Sequence, residues 1–109
     1  MIDRFVSGLR TRPGSIYLAG EHAAALWTVR VQGAEVWDAV RVVVVADTPV
    51  REVKRAAMAE LMPDVDAIDG YVVKLRGIEI HDESQTVQAA GATDGSALLV
   101  MSRRRQPVR

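Results

Sequence analysis

The chain has 109 residues, about half of them apolar, which is enough for one domain with a small core of its own. It has no cysteine, which excludes disulfides, thiolate metal sites and thiol catalysis, and no stretch approaches the ~18 apolar residues of a membrane span. Formal net charge is zero but unevenly spread: residues 21–102 hold seven basic and thirteen acidic residues, while both ends are basic.

Residues 1–24 read as an N-terminal extension. Arg4, Arg10 and Arg12 interrupt it, so no signal-peptide stretch is expected, and a soluble, cytoplasmic protein is. "TRPGS" at 11–15 reads as a turn or linker, and "SIYLAG" as a short strand. From Leu26 the pattern sharpens. "LWTVRV" alternates, with Trp27, Val29 and Val31 on one face and Thr28 and Arg30 on the other, as a half-buried strand does. "QGAEVWD" holds a turn, with Gly33 expected at positive φ. "AVRVVVVA" is a second strand, rich in β-branched residues, with Val40, Val42 and Val44 sharing a face.

The period then changes. In "DTPVREVKRAAMAELMP", Thr48 is the expected N-cap and Pro49 the first helical residue. Val50, Val53, Ala57 and Leu61 form an apolar stripe. Arg51, Lys54, Arg55 and Glu60 are assigned to the remaining surface, and Pro63 ends the helix. "DVDAIDG" is a loop. "YVVKLR" is a third strand, with Tyr71, Val73 and Leu75 opposite Val72, Lys74 and Arg76. Gly77 turns the chain into "IEI", a short edge strand; residues 81–96 connect; and "ALLVMS" is the last strand. The order β-β-α-β-β-β predicts an α+β fold, one helix packed across a mixed sheet.

These segments, in this order, resemble the ubiquitin-like β-grasp family over residues 25–105, with 106–109 as a tail. "DTPVREVKRA" is similar to the family's helix start, "YVVKLRG" to its third strand and closing glycine, "SQTV" to the Thr-Leu of the connection, and "DGSALLVMSRRR" to the last strand and its arginines. The resemblance implies a protein that works by being bound, as a protein modifier or as a protein-binding module in a ubiquitin-related pathway. It places Lys74 at the centre of ubiquitin's apolar recognition patch, Leu99 and Met101 at flanking positions, and Val72 beside them. Either these residues form a partner-binding patch of altered chemistry, or the N-terminal extension covers part of it. Arg103, Arg104 and Arg105 lie in the family's tail region, but Gln106 and Pro107 stand where its two glycines would be. Ordinary conjugation chemistry is therefore in doubt.

The resemblance implies protein partners, among them activating and carrier enzymes of a ubiquitin-related pathway. The alternative is a non-conjugated accessory of type VII secretion, like the YukD group. The Ala-, Val-, Arg- and Asp-rich composition, with two lysines, looks like that of a high-GC bacterium. Nucleic-acid binding through the basic ends is disfavoured by the acidic middle. A homo-oligomer is expected, since the extension has no evident partner within the chain.

No cofactor is expected. His81, Asp82 and Glu83 are adjacent but point in different directions along an extended segment, which is a poor metal cage. "DVDAIDG" lacks the spacing and closing glutamate of a calcium loop. His22 has no partner in the pattern, and no serine has a base at readable spacing. Trp27 and Trp37 are assigned to the core or to sheet packing. Nothing in the pattern points to an enzyme.

Overall fold

The computed structural model describes residues 10–20 and 25–103. Its strands are β1 (Arg10–Tyr17), β2 (Trp27–Gly33), β3 (Asp38–Val44), β4 (Tyr71–Leu75), β5 (Ile78–Glu79) and β6 (Ala97–Ser102). Among the described residues, the α-helix α1 (Val50–Leu61) follows β3, and a 3-10 turn covers Ile68–Gly70. The strands form one mixed sheet in the order β1-β3-β2-β6-β4-β5. α1 lies across one face of it. The expected β-β-α-β-β-β order is present from β2 to β6, with one further strand in front. The last strand, β6, runs parallel beside β2.

The core follows the alternation of the strands. β2 and β3 pair antiparallel, with Val29 opposite Val42 and Val31 opposite Val40. These four, with Val44, Val73, Leu75, Leu98 and Val100, meet Val50, Val53, Ala57, Met58 and Leu61 of α1 in one buried cluster. β-Branched residues dominate the sheet side because their stiff side chains suit a pleated surface.

α1 starts differently from the expectation. Its N-cap is Pro49, with no side-chain cap. Thr48 is buried and turns inward, its Oγ1 accepting the Val45 N–H at 3.2 Å. The first helical amides are satisfied from a distance instead: Val50 N–H donates to the Gln85 carbonyl and Arg51 N–H to that of Glu83, both at 2.9 Å. This relieves the orphan donors of a helix start as a side-chain cap would.

The turns hold a second difference. Gly33 ends β2 and is buried; an added Cβ would lie 3.0 Å from Val36 and 3.3 Å from Leu61, so close packing explains the glycine. The left-handed residue of that turn is Trp37, at φ +57°. In the β4–β5 turn, Arg76 (φ +53°) and Gly77 (φ +81°) are both left-handed, as a two-residue hairpin of matching twist requires.

Residues 10–17 of the extension form β1, which pairs parallel with β3. The strand is longer than "SIYLAG", and "TRPGS" lies within it. The pairing moves from Thr11↔Ala39 to Ser15↔Arg41, so two extra residues bulge out of β1 around Pro13 and Gly14. Gly14 takes φ +84°, which allows the bulge.

Candidate functional site

Alternation along each strand assigns a second, outer face to the sheet, opposite α1. Across it run Thr11, Ser15 and Tyr17 of β1, Ala39, Arg41 and Val43 of β3, Thr28, Arg30 and Gln32 of β2, Ala97, Leu99 and Met101 of β6, and Val72 and Lys74 of β4. Register brings all four expected patch residues together: Lys74 stands directly opposite Leu99, and Val72 opposite Met101. Lys74, Leu99 and Met101 are half-buried.

Val72 differs from the expectation. It is fully buried, at 0% exposure, so it supports the patch from beneath and offers a partner no surface. The register supplies the reason. Glu79 faces Lys74 across β4 and β5, and Arg103 follows Met101 on the same side of β6. Arg103 Nη1 reaches Glu79 Oε2 at 3.6 Å, so the ion pair spans β4 at the level of Val72. His81 Nδ1 adds a contact to the same oxygen at 3.5 Å.

Of the basic tail, Arg103 is exposed and tied to Glu79. Arg104 and Arg105 lie outside the described residues, as does His22. The root of the tail is held from the other side as well. Glu35, in the β2–β3 turn, accepts the Ser102 N–H on Oε2 at 3.0 Å, extending the β2–β6 ladder by a side chain.

The adjacent His81, Asp82 and Glu83 go to three different partners. His81 leans on Glu79. Asp82 accepts both the Ser84 hydroxyl and the Ser84 N–H, and these two bonds hold its carboxyl below the usual aspartate value. Glu83 turns inward and receives Lys54 Nζ at 2.8 Å. Among the described residues, no three His, Asp or Glu side chains gather as a metal cage would need. No helix among them is long and apolar enough to cross a membrane.

Two residues are placed differently from the expectation. Lys54 is buried, at 2% exposure, and not on the helix surface. Besides Glu83, its ammonium donates to the Tyr71 carbonyl at 2.9 Å, tying α1 to β4 and to the following connection. The spacing 50, 53, 54, 57, 58, 61 is a helical stripe, so the position was legible although the charge argued against it. Trp27 packs partly against the core, whereas Trp37 is 70% exposed at the tip of its turn.

Compared by sequence, the chain matches no family profile and no curated protein. Its fold has clear counterparts. A ubiquitin-like protein from Trypanosoma brucei superposes with TM-score 0.58 at 26% identity, covering 74% of this chain and 99% of that one. A ubiquitin-like domain from Arabidopsis thaliana gives TM-score 0.60 at 20% identity, covering 83% and 94%. The C-terminal ubiquitin-like domain of mouse tubulin-specific chaperone e gives TM-score 0.60 at 18% identity, covering 83% and 99%. With one helix gripped by a mixed sheet and a final strand parallel to the hairpin strand it adjoins, the chain has a ubiquitin-like β-grasp fold, to which β1 adds a strand at one edge.

Proposed function

We propose that this chain is a ubiquitin-like protein-binding module that acts by being bound and not by catalysis. The observation that carries this reading is the set of three half-buried side chains, Lys74, Leu99 and Met101, in register on the open face of the sheet. Apolar side chains beside a lysine stem, with a buried Val72 and an ion pair beneath and around them, make a firm seat for a partner's apolar anchor.

The fold and the arginines after β6 support a place in a ubiquitin-related pathway, with activating or carrier enzymes as partners, and the Ala-, Val-, Arg- and Asp-rich composition favours a bacterial one. Within that reading, Gln106 and Pro107 favour non-covalent binding over conjugation, because a tail with side chains does not thread as two glycines do. The same two residues favour the second reading, an accessory of type VII secretion like the YukD group.

The test is a titration of wild-type and Met101→Asp protein against the protein partner recovered with the chain from its native cell. The substitution is expected to weaken binding about tenfold while leaving the circular dichroism spectrum and thermal midpoint unchanged. Unchanged affinity would remove the outer face from consideration. Intact-mass measurement of the native protein separates the two modes: a covalent adduct through the tail means a modifier, and the bare mass means a binding module.

A further inference from the structure

The seat of β1 has a recognisable chemistry. Arg12 projects from β1 toward α1, and its guanidinium forks between two acids. Nε donates to Asp38 Oδ2 at 3.0 Å, and Nη1 donates to Glu60 Oε2 at 3.2 Å and to the Glu60 carbonyl at 2.8 Å. That carbonyl belongs to the last turn of α1, the negative end of the helix dipole. Further along the strand, Ile16 stands opposite Val42 and packs against the core cluster. The groove between β3 and α1 therefore takes a guanidinium at one end and a branched apolar side chain at the other.

β1 fills this groove imperfectly. Its ladder is split into two short halves by the Pro13–Gly14 bulge. Beneath the bulge lies a hollow of about 180 Å³, bounded by Pro13, Ser15, Ile16, Val40 and Glu60. β2, on the other side of β3, pairs with it along its whole length without a break. The connection from β1 to β2, residues 18–26, has to cross only about 10 Å, two strand spacings. Nine residues can span roughly 30 Å, so β1 can leave without disturbing β2.

We propose that the edge of β3 that β1 covers, with Asp38 and Glu60, is a binding site for an extended segment of a partner protein, and that β1 occupies it in cis as a displaceable ligand. The segment it fits carries an arginine and a branched apolar residue on one face of an uninterrupted strand. Backbone pairing supplies affinity, and the two side-chain seats supply selectivity. A second copy of this chain is the weaker competitor. Its β1 offers the same flawed strand, while the tethered one enjoys a high effective concentration. A partner strand without the bulge closes the hollow and continues the ladder, and can win.

The experiment uses the full chain and two fluorescent peptides. One has the sequence of residues 10–18, and the other is the same peptide without its Pro-Gly pair. Arg12→Ala protein, its cis latch broken, is expected to bind the peptides roughly tenfold more tightly than wild type. The straightened peptide is expected to bind better than the native one. Replacing the peptide's latch arginine with alanine, or Glu60→Gln in the Arg12→Ala protein, is expected to abolish most of the binding. Equal affinity for wild-type and Arg12→Ala protein would overturn the proposal. So would indifference to the peptide arginine, or an Arg12→Ala dimer that excludes the peptide, which would assign the groove to a second copy. Arg12→Lys, which keeps the charge but loses the fork, serves as a gentler latch variant and is expected to fall between the two.

Discussion

Lys54 carries a charge into the interior and meets both an acid and a carbonyl there. Its ammonium has two oxygens at 2.8 and 2.9 Å, from Glu83 and Tyr71. The pair is nearly dry, with side-chain exposures of 2% and 11%. Breaking such a pair leaves one charge buried alone, which costs far more than the pair contributes when intact. Lys54→Met keeps the volume but strands the Glu83 carboxylate. It is expected to lower unfolding free energy by about 3 kcal/mol, measured by urea titration. The double variant Lys54→Met/Glu83→Leu is expected to recover most of that. A single-variant loss below about 1 kcal/mol would class the bridge with exposed ion pairs. Val72 and Trp37 make a complementary point. An apolar residue on an open face is fully covered because an ion pair bridges over it, while a tryptophan in an apolar-looking segment stands out in solvent because its turn points it there.

Among the elements, α1 and the β2–β3 hairpin were legible because each carries its own period. Val50, Val53, Ala57 and Leu61 repeat at helical spacing, and Val29, Val31, Val40, Val42 and Val44 alternate. All of them are in the core cluster. The start of α1 was not legible in the same way. Its first amides find carbonyls at Glu83 and Gln85, more than thirty residues downstream, and no local pattern reports that. β1 is the other element that local pattern described poorly. Proline and glycine signal a break, and here the break is a bulge inside a strand whose pairing partner lies well beyond it in the chain. An edge strand with a split ladder opens more readily than a central one. Hydrogen exchange is therefore expected to be at least about tenfold faster at the amide of Leu18, which donates to the Val43 carbonyl at 2.9 Å just after β1, than at those of Val29 and Val31. Equal protection would mean that β1 opens only with the whole domain, and that it is no displaceable ligand.

For the molecule as a whole, the position of β1 bears on association. The expectation of an oligomer rested on an extension without a partner, and residues 10–17 of that extension pair with β3 of the same chain. The outward edge of β1 is a poor template for a neighbour, because the Pro13–Gly14 bulge interrupts it. Light scattering at micromolar concentration is thus expected to return the monomer mass of 11.9 kDa for the chain of 109 residues. A stable dimer would mean that another surface pairs, with Leu99 and Met101 the first to mutate. The grouping of Lys74 with Leu99 and Met101 was implied by the resemblance to the ubiquitin-like family; the sequence by itself determined the strand and helix order and the stripe that faces the core. Those follow from periods of two and of about 3.6 residues, which are local properties. Only the tertiary structure decided the rest: the burial of Lys54, the cover over Val72, the distant cap of α1 and the docking of the extension. Each depends on a polar group or backbone edge meeting a partner remote in the chain, as Lys54 meets Glu83 and Arg12 meets Asp38 and Glu60. A buried charge or an open strand edge is stable only when such a partner arrives, and periodicity carries no record of which one will.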